Sequence, residues 1–277
     1  MGLRINTNVA SISAQRALST NKLNTDSNLR KLSSGERITR AADDAAGLAI
    51  SEKLKSHIRG LRQARRNADD GISLIQTAEG GLSEVSNIII RLRELAVQAA
   101  SDTVGDTERS FSDIEFQQLK EEIQRIAKGS EFNGRKILDG TGGIVDIQVG
   151  IHNNPMQDRI NYDSTTTDTT LESLGVFAET IVNKEGAQLA LEKLDNALTR
   201  INKVRASLGA LQNRLQSAAN NMAVTEENFS AANSRIRDVD VASETADLAK
   251  NNILNQASIS VLTQANNSPQ FALKLLS

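Results

Sequence analysis

The 277-residue chain contains no cysteine and no tryptophan, only two histidines, two prolines and one tyrosine, and its aromatic content is 3%. Without cysteine there are no disulfides, no thiolate nucleophile, and no cysteine-ligated zinc or iron–sulfur cluster. Two histidines, His57 and His152, leave little from which to build a catalytic or metal cluster. Neither has a metal-binding neighbour three or four positions on, so both read as structural or solvated. No window of 18 consecutive apolar residues occurs, so no transmembrane helix and no membrane insertion are expected. The first residues lack the apolar core of a secretory signal, so any export is expected to use another route. The net charge is −2, from 32 basic and 34 acidic side chains, which argues against a nucleic-acid partner.

Scarce proline permits long helices. Pro155 and Pro269 leave residues 1–154 and 156–268 free of this helix breaker. Charge is also scarce at both ends. Residues 1–25 carry only Arg4, Arg16 and Lys22, and residues 251–277 only Lys274, where the chain average would place about six. Asn, Gln, Ser and small apolar residues fill these stretches. A solvated helix usually carries more charge, so the two ends read as segments that become buried only against other copies of the chain.

The periodicity predicts a mainly α fold. Ile5, Val9, Ile12, Leu18, Leu29 and Leu32 form a weak helical stripe that Ser33-Ser34-Gly35 ends. Ala41-Ala42-Asp43-Asp44 is read as the opening of a second helix, with both acids near its positive end. From Ile50 to Leu92 apolar residues step by three or four without a break; Gly71, Gly80 and Gly81 weaken the pattern but lie within it. A third helix is expected over 108–128, with Phe111, Ile114, Leu119, Ile123 and Ile126 inward. Val145, Ile147, Val149 and Ile151 then alternate with polar residues, and Ile160 and Tyr162 follow the Asn153-Asn154-Pro155 turn, so a β-hairpin is expected within 136–182. Residues 164–170 read as an exposed Thr-rich loop. Helix returns over about 185–236, with a regular seam from Val204 to Ile236. A last helix covers about 242–275, with Leu254, Ser258, Val261 and Ala265 at seam spacing and Pro269 disturbing its final turns. A helix from 44 to 100 would be about 85 Å long at 1.5 Å per residue. A compact globule of this size is only about 50 Å across. The expected molecule is therefore an elongated rod of long antiparallel helices and coiled coil, folded back at the hairpin.

No reaction centre is legible. The acidic pairs Asp43-Asp44, Asp69-Asp70 and Asp238/Asp240 lack the spaced oxygen ligands of a calcium loop and read as caps or solvated faces. Asp139-Gly140-Thr141-Gly142-Gly143 has no phosphate-binding lysine. Arg59, Arg62, Arg65 and Arg66 lack interleaved aromatics and read as an ion-paired face. The Asn228 and Asn266 glycosylation triplets fall in helices and are expected to be unused. No cofactor, no metal and no enzymatic activity are expected.

Several long motifs carry a resemblance. MGLRINTNVASISAQRALSTNKLNTDSNLRKLSSGERITR at 1–40 runs into AADDAAGLAIS. RLRELAVQAA occupies 91–100, EFNGRKIL 131–138, and NNILNQASISVLTQANNSPQFALKLLS the C-terminus. In order and spacing, over essentially the whole chain, these resemble bacterial flagellin, in a short form without large outer domains. The resemblance implies a structural subunit that self-assembles into the extracellular flagellar filament, after unfolded export through the flagellar type III apparatus. Residues 1–40 and 237–277 would form an inner-core coiled coil, and 41–236 an outer-core bundle with the hairpin region 136–182. Filament assembly would rest on Ile5, Val9, Ile12, Leu254, Val261, Leu262, Leu275 and Leu276. Implied partners are other copies in a helical homopolymer, hook-associated junction and cap proteins, and a cytosolic chaperone at the C-terminal segment. An animal toll-like receptor would read Arg91, Leu95 and Glu115, residues whose alternative role is subunit contact. A hook–filament junction protein shares this architecture, but AxDDAAGLAIS and the C-terminal NxPQ motif fit flagellin better. A cytoplasmic coiled-coil adaptor would have charged ends.

Overall fold

The computed structural model describes the backbone of residues 7–274 and the side chains of 7–268; Ile5, Leu275 and Leu276 lie outside these limits. The elements in chain order are α1 (Val9–Ser34), α2 (Ala45–Ala99), α3 (Asp106–Gly129), β1 (Glu131–Phe132), β2 (Arg135–Lys136), β3 (Ile144–Gln148), β4 (Arg159–Asp163), a 3-10 turn (Ser164–Thr167), α4 (Leu171–Leu174), α5 (Lys184–Arg237) and α6 (Val241–Lys274). The fold is mainly α, with two small antiparallel hairpins, β1–β2 and β3–β4. Two compact units divide it: residues 1–56 with 228–277, and residues 57–227.

In the first unit α1 and α6 run antiparallel. The Asn8 amide donates to the Ala265 carbonyl (2.7 Å), Asn21 to Ser258 (3.0 Å), and Lys31 pairs with Glu244 (3.4 Å), so partner numbers fall as α1 advances. Gly35 ends α1 in the left-handed conformation (φ 70°) that a glycine adopts without strain. The turn after α1 is then tied to the turn before α6. Arg37 N–H donates to the Arg237 carbonyl (2.6 Å) and Val239 N–H to the Gly35 carbonyl (3.0 Å). Arg237 bridges Glu36 (2.9 Å) and Glu52, which together hold its guanidinium even more firmly charged. Asp43 and Asp44 sit before α2 and not inside it. Asp44 caps the helix by accepting from Gly47 N–H (2.8 Å), and Asp43 accepts from Thr39 and Arg40 N–H in the preceding turn. These short-range Asx bonds compete with helix and move its start to Ala45.

In the second unit α2 and α5 are antiparallel, as three ion pairs show: Arg62–Glu226 (2.6 Å), Arg205–Glu79 (3.6 Å) and Arg93–Asp195 (2.7 Å). Between these charges lies an apolar seam. Ala68, Ile75, Ala78, Leu82, Val85, Ile89 and Leu92 on α2 are buried, as are Ala187, Ala190, Leu194, Ala197, Ile201, Val204 and Leu208 on α5. Leu and Ile alternate with Ala along both buried faces, a pattern that suits close helix packing.

The glycines inside α2 have a packing reason. A Cβ on Gly60 would lie 2.9 Å from Ile151 Cγ2, one on Gly71 2.6 Å from Ile147 Cδ1, and one on Gly81 2.7 Å from Leu138 Cδ1. Spaced by about three turns, these residues form a bare track on which the hairpin region sits. The β3–β4 register pairs Val145 with Tyr162 and Ile147 with Ile160. Tyr162 is buried, and its hydroxyl donates to the Ile137 carbonyl at 2.6 Å.

Three expectations need correction. On α3 the buried face is Arg109, Phe116, Lys120, Ile123 and Ala127, while Phe111 and Ile114 are over 60% exposed and Leu119 and Ile126 half-buried. Two long cations take seam positions because carbonyls receive them. Arg109 donates to Ala99 and Ser101 (2.8 and 2.9 Å), and Lys120 to Phe177 and Glu179 (both 2.8 Å). Residues 164–170 are not an exposed loop: Ser164, Thr167 and Thr169 are buried, the two threonines bonded to the Ile137 and Leu138 carbonyls. Helix α6 continues through Pro269 to Lys274.

Candidate functional site

The unusual surface is that of the α1/α6 pair. Its seam is polar. Besides the Asn8 and Asn21 bonds, Ser11 donates to Asn266 (2.7 Å) and Asn255 donates to Thr25 (2.9 Å). Asn28, with its amide oriented to satisfy both neighbours, donates to Glu244 (3.1 Å) and accepts from Asn251 (3.2 Å). The only buried side chains on α1 are Ser11, Ala14 and Asn28. The large apolar residues point the other way: Val9 (62% exposed), Ile12, Leu23 and Leu29 on α1, and Ile253, Leu254, Ile259 and Val261 (59%) on α6. Leu262 is half-buried. Of the expected assembly residues, Val9, Ile12, Leu254 and Val261 therefore share the outward surface of one helix pair. Half of the expected α6 seam holds: Ser258 and Ala265 meet α1, while Leu254 and Val261 are exposed.

Each neutral hydrogen bond in that ladder adds only about 1 kcal/mol net. The exposed aliphatics forgo about 1.5–3 kcal/mol apiece that burial would give. The pair is thus weakly held from within and apolar without. Sequence reading missed the ladder because it followed apolar periodicity. The signal was Asn21, Thr25, Asn28 and Asn251, Asn255, Ser258, which keep helical spacing in polar residues.

In the second unit Arg91 on α2 is exposed and reaches Glu115 on α3 (2.9 Å) and Glu94 (3.0 Å). Glu94 and then Glu115 raise the guanidinium pKa further. Leu95, one turn along α2 from Arg91, is in the core at 3% exposure. Exposed Ile90, Val97, Phe111 and Ile114 lie on the same two helices. Among the described residues there is no group of three His, Cys, Asp or Glu that could hold a metal, and no helix is long and apolar enough to cross a membrane.

Comparison with known proteins decides the family. Residues 5–142 match the model of the bacterial flagellin N-terminal helical region, and residues 191–276 that of the C-terminal helical region. The chain belongs to the flagellin family. It is 47% identical over 272 residues to a flagellin of Halalkalibacterium halodurans, covering 98% of this chain and 99% of that one. It is 44% identical over 285 residues to the flagellar filament 30.7 kDa core protein of Treponema maltophilum, covering 99% of each. The crystal structure of Bacillus cereus flagellin superposes with a TM-score of 0.51 at 34% identity, covering 57% of this chain and 88% of that one. Near-full coverage of the full-length relatives accords with a short flagellin without large inserted domains.

Proposed function

We infer that this flagellin-family chain is a structural subunit that polymerises into the extracellular flagellar filament. The observation that carries the reading is the inverted α1/α6 pair, with hydrogen bonds inside and Val9, Ile12, Leu254 and Val261 outside. Such a surface is covered by other copies of the same pair. A heterologous contact that does not close on itself yields a helical lattice, with 1–40 and 237–277 as its inner core and 41–236 as its outer core. Leu262, with Ile5, Leu275 and Leu276 outside the described side chains, completes the set of assembly residues in this reading. Before assembly the apolar face of α6 suits a cytosolic chaperone, and export proceeds through the flagellar type III apparatus. At its ends the polymer meets hook-associated junction and cap proteins.

Arg91 and Glu115 form the second contact surface of this reading, with Leu95 buried one turn along α2. Exposed Ile90, Val97, Phe111 and Ile114 supply apolar area for subunit contact, and the same surface suits an animal toll-like receptor.

The test is seeded polymerisation of the purified chain, followed by negative-stain electron microscopy. Long uniform filaments from the intact chain, and none from Val261→Asp or Ile12→Asp proteins of unchanged helicity, support the reading. Filaments from both variants would sink it.

A further inference from the structure

The chain's two histidines lie 95 positions apart, yet the fold brings them together. His57 is half-buried on α2, and His152 is exposed in the loop after β3. Their ring centroids are 5.9 Å apart and the ring planes nearly perpendicular, at 87°. The approach depends on backbone. Gly60, one turn along α2 from His57, leaves no Cβ between the helix and Ile151, the residue before His152. The loop is also held. Asn67 donates to the Gln148 carbonyl (3.1 Å), and the Gln148 amide donates to the Gly150 and His152 carbonyls (3.0 and 2.8 Å). Val149 N–H donates to the Asp158 carbonyl (2.8 Å), and buried Asp158 accepts from Asn154 N–H (2.9 Å).

We propose that His57 and His152 together form a two-imidazole site for a divalent transition-metal ion of the zinc, nickel or copper class, which clamps the β3–β4 loop to α2. With metal–nitrogen bonds of about 2.0–2.1 Å, each centroid would sit roughly 3.2 Å from the ion, so a tetrahedral pair needs centroids about 5.2 Å apart. The observed 5.9 Å lies less than 1 Å from that value. Imidazole nitrogen selects these metals, whereas magnesium and calcium require oxygen. Among the described residues no group of three His, Cys, Asp or Glu could hold a metal, so in this proposal water completes the coordination shell. Both histidines belong to the 57–227 unit.

The test is titration of the full-length monomer with zinc chloride, by calorimetry and by the ring-proton resonances of the two histidines. Magnesium chloride serves as control. Saturable 1:1 zinc binding is expected, with both imidazole signals shifting together, no response to magnesium, and a thermal midpoint that rises with zinc. His152→Gln, at an exposed position, should weaken binding at least 10-fold and remove the thermal shift, as should His57→Gln. No saturation up to millimolar zinc overturns the site. So does zinc affinity unchanged in His152→Gln, or a shift of one ring only. If His57→Gln fails to fold, the His152 variant and the paired ring shifts still decide the question.

Discussion

The two antiparallel helix pairs solve the same packing problem in opposite ways. Between α2 and α5 the seam is Leu, Ile, Val and Ala, and the flanks are ion pairs. Between α1 and α6 the seam is Asn, Ser and Thr, and the outside is aliphatic. The first arrangement is complete in one copy of the chain. The second leaves most of its hydrophobic free energy unspent until another surface arrives. In the filament proposed above, the polar ladder would set register while the apolar exterior would drive association.

The largest expected effect separates stability from assembly. Val261→Asp should leave monomer unfolding within about 0.5 kcal/mol, as for an exposed position, yet raise the critical concentration for polymerisation more than 10-fold in sedimentation assays. Leu82→Ala, in the apolar seam of the other pair, should do the reverse and cost about 2–5 kcal/mol in denaturant melts. Equal effects on both readouts would erase the distinction between the pairs.

Next comes the glycine track. Gly71→Ala meets Ile147 and should destabilise by about 1–3 kcal/mol. Gly80→Ala meets open space and should stabilise by about 0.5–1 kcal/mol through helix propensity. Circular-dichroism melts of the two variants should move in opposite directions.

A smaller effect attends Tyr162. Burial raises its phenol pKa above the ordinary value of 10, against the lowering influence of its hydrogen bond with Thr167. The folded state therefore keeps a proton that the unfolded chain releases. This contribution is fully present below about pH 10 and is lost as pH rises beyond it. Tyr162→Phe should cost about 1 kcal/mol at neutral pH, modest because Thr167 still donates to the Ile137 carbonyl (2.8 Å), and should flatten the alkaline loss seen in urea titrations. Least of all, breaking the exposed Arg93–Asp195 pair by Asp195→Asn should change stability by no more than about 1 kcal/mol.

The long helices were legible because their apolar residues step by three and four without proline, and the β3–β4 hairpin because its residues alternate. The short β1–β2 hairpin escaped notice although Asn133-Gly134, with φ of 49° and 77°, is a strong turn signal. Its strands are two residues each, too short for alternation to register. The face of α3 was misread because Arg109 and Lys120 count as polar in any periodicity, and only the carbonyls of Ala99, Ser101, Phe177 and Glu179 make their burial favourable. Missing charge at the chain ends says that a surface is unsolvated but not which side of the helix holds it, and the assembly residues themselves came from the resemblance.

Sequence by itself determined that this chain is helical, hairpin-bearing and charge-poor at its ends. It did so because periodicity, proline and charge act over a few residues at a time. Tertiary structure decided that the terminal seam is polar, that glycines in α2 admit a hairpin, and that two histidines 95 residues apart meet. Each of these depends on which distant backbone comes close, and no local pattern records that.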